Sequence, residues 1–451
     1  MTPAEGDVPG LPADLPDPAV APDLPETPSG PGDAEAPADD PDAATEAPEV
    51  PLLAIRGGLP PVVADAAGVA ELVARFRSGS GPVAVDAERA SGYRYSQRAY
   101  LIQLRREGVG SVLIDPIPLG SVPNVALAPL SRALADTEWI IHAASQDLAC
   151  LAEVGMRPVQ LFDTELAGRL LNYPRVGLAA LVEELLGYRM RKEHSAVDWS
   201  RRPLPESWLT YAALDVEPLI ELREILAAQL EEAGKAEWAA QEFQAWASMP
   251  AVPPRMDPWR RTSGIHRVKG RRGLAMVRAM WQLRADIARK RDVTTNRILN
   301  DATIVEAAQA APASRHALGQ VTGFATRGGQ RYLREFHSAI AAARALPEED
   351  LPPLAAEHDG PPPPRTWGDR NPEAAARLAA CRESVSSLAE SLNLPQENLV
   401  SPSTVRRLAW SPPRPATAQA VADRLTENGA RPWQVALAAE PLAMALRTAA
   451  D

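Results

Sequence analysis

The 451 residues predict an α/β domain with a mixed sheet, followed by all-helical segments. Three observations carry this. Several short strand-like runs come in succession and then alternate with helices, helical spacing takes over beyond about residue 145, and the length is too great for one core, so roughly two to four domains are expected.

The first 50 residues hold thirteen Asp/Glu and twelve Pro, with no Lys, Arg or aromatic residue. Such a stretch buries too little apolar surface to offset its ordering entropy, and a disordered acidic tail over 1–50 is expected. The tail also explains the formal charge of −11, because the remaining 47 Lys/Arg and 45 Asp/Glu nearly balance. Cys150 and Cys381 are the only cysteines and lie far apart, which predicts no disulfide framework and a reducing compartment. No apolar run reaches eighteen residues, and the acidic start lacks the features of a signal peptide. A cytoplasmic protein without membrane association is expected, its oligomeric state unassigned.

The α/β domain is placed at 51–250. Residues 52–55 read as an edge strand, and Val69, Leu72, Val73 and Phe76 give helical spacing over 64–78. Strands follow at 83–85, 99–104 and 111–114, then a helix at 127–135 and a strand at 139–142. From 145 to 247 the reading is nearly all helix: 146–154, 164–171, 177–186 ended by Gly187, and a long helix over 206–222. Ahead of that helix, a loop with Arg189, Lys192, His194, Ser195 and Trp199 is polar, basic and aromatic at once, a lip for a nucleic-acid strand. Asp115 and Asp163 read as turn and helix caps.

Pro250, Pro253 and Pro254 mark a linker. Residues 266–345 hold fifteen Lys/Arg against five Asp/Glu, and Leu274, Val277, Trp281 and Leu283 mark an amphipathic helix. This basic helical domain is read as binding nucleic acid, with Arg271 and Arg272 among its contacts. After a Pro-rich break at 351–364, residues 366–451 are again helical, and the shared plan of short helices hints at a duplicated module. A truncation removing 266–451 is expected to weaken binding to structured RNA while leaving cleavage of short strands.

Chemistry enters with four acids and a tyrosine. Asp86 and Glu88 sit two apart in a strand and point the same way. Asp147 follows the apolar run 139–142, and Tyr211 and Asp215, four apart, share a helix face. Converging acids without matching bases repel one another and are costly to desolvate, so their natural partners are two divalent cations, Mg²⁺ or Mn²⁺. That is a ligand set for two-metal phosphodiester hydrolysis.

These residues resemble the ribonuclease D group of DEDD-type 3′ to 5′ exonucleases, in the subgroup with tyrosine in its last motif. The resemblance rests on Asp86-Ala87-Glu88 with Gln103 in the strand after it, on the stretch from His142 to Asp147, on His194 to Glu206, and on Tyr211 to Asp215. It implies a ribonuclease H-like mixed sheet, and it identifies 266–345 with the helical domain abbreviated HRDC, with 366–451 as a second HRDC-like domain. It implies Asp86 as bridging ligand, Glu88 and Asp215 with the nucleophile-activating ion, Asp147 with the second ion, and Tyr211 orienting the attacking water. Gln103, His142, His194 and Trp199 join Arg271 and Arg272 as expected substrate contacts. Ala143 stands where many relatives have Asn, which bears on substrate contact rather than catalysis. The implied function is trimming of RNA 3′ ends, such as transfer RNA precursors or other structured RNAs, to nucleoside 5′-monophosphates. A DNA-directed 3′ to 5′ exonuclease or a non-catalytic nucleic-acid scaffold are the alternatives.

Overall fold

The structure, a computed structural model, describes residues 50–120, 125–191, 197–250, 255–355 and 360–449. The expected disorder of 1–50 therefore falls almost wholly outside the described residues.

The α/β part runs β1 (Val62–Val63), α1 (Ala66–Ser78), β2 (Ser80–Arg89), β3 (Ala99–Glu107), β4 (Gly110–Ile114), α2 (Ala128–Ala133), β5 (Glu138–Ile141), α3 (Leu148–Glu153), β6 (Gln160–Asp163), α4 (Thr164–Leu170), α5 (Leu178–Leu186), α6 (Glu206–Val216), α7 (Leu219–Glu232) and α8 (Ala236–Ala247). The six strands form one mixed sheet in the order β1-β4-β3-β2-β5-β6. β2, β3 and β4 form an antiparallel meander, and β1, β5 and β6 join in parallel. Alternation along β3 divides the interior: Ile102 and Leu104 join the large core with Phe76, Val83, Val85 and Trp139, while Leu101 packs on the opposite face with Leu113, Ala212 and Ala213.

Three differences from the sequence expectations have local causes. Residues 52–55 form no strand; Leu52 makes a single bridge to Arg189, and the edge position belongs to Val62–Val63. The stretch read as nearly all helix contains β6, whose four residues are too few to show a period. The helix expected over 206–222 is two, because Pro218 has no N–H to continue the first. Gly187 does end α5, in the left-handed conformation that glycine adopts without strain.

The second part comprises α9 (Gly270–Arg291), α10 (Asp301–Ala310), α11 (Arg315–Gly319), α12 (Arg327–Arg331) and α13 (Leu333–Ala345), around a core of Leu274, Val277, Met280, Ile304, Phe324, Phe336 and Ile340. The third comprises α14 (Trp367–Arg370), α15 (Pro372–Ser391), α16 (Gln396–Leu399), α17 (Pro402–Trp410), α18 (Ala418–Glu427) and α19 (Pro432–Thr448). Its core is continuous with that of the α/β part. Trp238 of α8 stacks on Trp433 of α19 at 4.9 Å, and the Trp433 indole donates to buried Glu242 at 3.1 Å.

Lys235 ties these two parts together. The side chain is buried and donates to the carbonyls of Leu170 and Asn393, both at 2.7 Å, across 158 residues of chain in the second case. Lys235→Met keeps the apolar stem and removes the donor, leaving both carbonyls short of a partner. It is expected to lower unfolding free energy by about 1–3 kcal/mol, read as a lower urea midpoint. An unchanged midpoint would count against this latch.

Candidate active site

The central strand β2 carries Asp86 and Glu88, and its pairing with β3 sets them opposite Gln103 and Leu101. Directly opposed residues share a face, so both acids lie on the face covered by α6. Helix α6 brings Asp215 and, one turn earlier, Tyr211 to that face. Its end is pinned by the buried Glu217, which accepts from Ser111 Oγ at 2.9 Å and pairs with Arg105 at 3.2 Å. That anchor lies two residues beyond Asp215 and holds its place along the strand.

Asp147 arrives by a different route. After β5 the chain turns through Ala143, whose φ of 57° is left-handed. The Asp163 carboxylate accepts from the N–H groups of Ala143 and Ala144, at 3.1 and 2.8 Å, and also caps α4 through Glu165 and Leu166. This one carboxylate therefore stabilises a backbone conformation that Asn adopts more readily than Ala. Asp147 then heads α3 without capping it, and its side chain lines the cavity.

The four acids and Tyr211 line one cavity of about 510 Å³, together with His142, Arg89 and Tyr93. Carboxylate oxygens of Asp86, Glu88 and Asp215 lie within 4.8 Å of one another. Asp147 faces Arg89, whose Nε is 3.6 Å from Oδ1. Burial pushes the Asp86 carboxyl up to about 6, partly opposed by the Ala87 backbone N–H and by Arg89. Glu88, Asp147 and Asp215 are held well above the usual carboxylate range, by burial first and then chiefly by the charge of Asp86. Burial and the neighbouring Asp215, Glu88 and Asp86 raise Tyr211, so its hydroxyl keeps its proton and can donate. Three hard oxygen donors this close, with Arg89 beside them to offset four acids, fit divalent cations.

The expected substrate contacts fare less evenly. His142 lines the cavity but is bound through Nδ1 to Thr164 Oγ1 at 2.9 Å, and burial lowers it to about 4, so it is neutral. Gln103 is a correction: it is fully buried between sheet and α6, and among the described residues neither amide atom has a hydrogen-bond partner. Trp199 is another, being buried edge-on to Trp208 at 5.6 Å and 6.5 Å from the Tyr211 ring, where it braces α6. Arg271 and Arg272 spend donors inside their own domain, on the carbonyls of Leu351 and Pro352 and on those of Arg344 and Leu346. They fasten the chain after α13 rather than reach for a strand. His194 lies outside the described residues.

Sequence reasoning missed Arg89, Tyr93 and Arg202. The last clamps the loop before α6 to the sheet end, donating twice to Asp115 at 2.6 and 2.8 Å and to the Tyr100 and Trp199 carbonyls. A single arginine gives no local signal of such a role. The neighbouring Arg94 and Arg201 carry the same charge.

A family model described as 3′-5′ exonuclease matches residues 60–231, and the HRDC domain model matches 273–340. Residues 360–446 match a third model, described as 3′ to 5′ exonuclease C-terminal domain. The ribonuclease D of Gluconacetobacter diazotrophicus is 34% identical over 294 residues, covering 62% of this chain and 71% of that protein. A solved protein from Bifidobacterium adolescentis is 37% identical with a TM-score of 0.79, covering 88% of this chain and 100% of the other. Escherichia coli RNase D, described as an exoribonuclease involved in structured RNA processing, shares the fold with a TM-score of 0.65 at 24% identity, over 86% of this chain and 99% of its own. With its cluster of acids, its three matched domains and these relatives, the chain belongs to the ribonuclease D family.

Proposed function

We propose that this chain is a 3′ to 5′ exoribonuclease that shortens RNA, transfer RNA precursors among its substrates, by one nucleoside 5′-monophosphate at a time. The observation that carries the reading is the approach of Asp86, Glu88 and Asp215 to within 4.8 Å of one another in a cavity shared with Asp147 and Tyr211. Asp86 would serve both of two Mg²⁺ or Mn²⁺ ions, Glu88 and Asp215 the first, and Asp147 the second. Bound there, the ions supply a water of lowered pKa and neutralise charge on the phosphodiester. The chain's own groups hold the geometry. The protonated Tyr211 hydroxyl orients the attacking water by hydrogen bonding, and Arg89 keeps Asp147 in place and adds positive charge at the cavity wall. The neutral His142 completes the wall.

Side-by-side digestion of 5′-labelled RNA and DNA with Mg²⁺, Mn²⁺ or chelator tests this. RNA should shorten progressively from its 3′ end with release of mononucleotides, more readily than DNA, and chelator should stop it. RNA left intact in both metals would overturn the reading, and equal cutting of DNA would overturn its sugar preference.

A further inference from the structure

The loop between β2 and β3 begins two residues after Glu88 and carries Tyr93 into the wall of the catalytic cavity. It is held from outside its own domain. Asp292, the residue ending α9, accepts from the Ser96 N–H at 2.8 Å and from the Tyr100 hydroxyl at 3.2 Å, and its carbonyl accepts from Arg94 at 3.4 Å. Thr294 N–H donates to the Tyr93 carbonyl at 3.2 Å. The Arg297 guanidinium lies 5.4 Å from the Tyr93 ring centroid, and Arg289 covers the Tyr95 ring at 5.5 Å while donating to its hydroxyl. Tyr95 itself packs against the HRDC core.

Resting on the exoribonuclease reading, we propose that Tyr93 and Arg297 form one composite platform, built by two domains, that takes a nucleobase of the RNA 3′ end, with Asp292 as its positioning residue. A half-buried aromatic ring at the wall of a phosphodiester site offers a face on which any base stacks without sequence preference. A guanidinium against that ring stiffens it and carries positive charge toward the neighbouring phosphate. The Asp292 carboxylate on the Ser96 N–H and the Thr294 N–H on the Tyr93 carbonyl hold the loop in place beside the cavity, so the HRDC domain sets where the last nucleotides lie as well as adding basic surface. The geometry also makes the HRDC domain a part of the active site for short strands.

The test combines enzyme variants with damaged substrates. Tyr93→Ala should raise KM for a short single-stranded RNA roughly 5- to 100-fold, the range for loss of one stacked base. kcat should change much less, Mn²⁺ affinity measured by electron paramagnetic resonance should be unchanged, and Tyr93→Trp should restore KM. In wild-type protein, an abasic nucleotide at one of the last three positions should cause a similar loss. At that position Tyr93→Ala should add nothing further. Asp292→Ala, which touches no substrate, should raise KM in the same direction and be non-additive with Tyr93→Ala. Fully additive losses, or a KM that Tyr93→Ala leaves alone, would overturn the platform. Wild-type protein that trims no RNA would instead sink the exoribonuclease reading and this inference with it.

Discussion

Asp86→Asn is expected to reduce metal-dependent trimming by about 10³-fold or more while raising the melting temperature of the metal-free protein at pH 7.5. Both effects follow from one carboxylate. In the folded chain burial places Asp86 at about 6, above the 3.8 of the free side chain. A raised carboxyl favours folding below about pH 4, and that contribution is lost as the pH climbs through about 6. At pH 7.5 the ionised Asp86 therefore opposes folding, on the order of 2–3 kcal/mol, and the neutral Asn removes the penalty. The gain should be seen at pH 7.5 and vanish at pH 4. Excess Mn²⁺ should reverse the order, because binding to the native state stabilises wild type and has little to act on in the variant. Since the ligands must be ionised to bind, wild-type Mn²⁺ affinity should rise with pH through this window and on beyond it, because the other three acids are held higher still. Equal melting temperatures for both proteins from pH 4 to 8, or retained trimming by the variant, would refute the assignment. The stability given up at this site is recovered only when the site is loaded, an arrangement expected where function sets the charge.

The acids were legible in the sequence because each needs only local structure to be aimed. Two residues apart on a strand, four apart on a helix and one at a helix start are geometries that any correct assignment of elements supplies. Their convergence needed only that the elements fold on one sheet. What stayed hidden depends on distant chain. Gln103 entered as a substrate contact through the resemblance of its strand to the family's first motif, yet it lies beneath α6, opposite Asp86. Trp199 looked like a stacking surface because its loop is basic, yet it is core. Asp292, in the sequence an acid amid arginines, reaches Ser96 across 196 residues. Strand β6 escaped because Gln-Leu-Phe-Asp is too short to show alternation. The Asp163 that ends it is nonetheless a cap, as expected, and holds the turn leading to Asp147 as well.

Cutting the chain after residue 255 is expected to abolish trimming of short strands along with binding to structured RNA, contrary to what the sequence implied. The expectation of a separable catalytic domain assumed that the helical segments are beads on a linker. The third part instead continues the core of the α/β part. Removing it uncovers Trp238, now stacked on Trp433, and takes away the Trp433 and Arg431 partners of Glu242, at 3.1 and 3.3 Å. It also leaves Lys235 with one of its two carbonyls. Uncovering the apolar face around the half-buried Trp238 costs about 1.5–3 kcal/mol for each large side chain exposed, set against a total stability of about 5–15 kcal/mol for a domain. These penalties rival the whole. Removal of the HRDC domain independently frees the loop from Tyr93 to Ser96, which its helix end secures. The shortened protein should therefore be poorly soluble, bind a hydrophobic dye, and melt at a markedly lower temperature without a sharp transition. A second cut after residue 355, keeping the HRDC domain, separates the two causes: it should show the same drop in stability with the loop still clasped. Should the protein ending at 255 melt cooperatively at the full-length temperature and trim short RNA at the full-length rate, the catalytic domain would be self-sufficient and the shared core incidental.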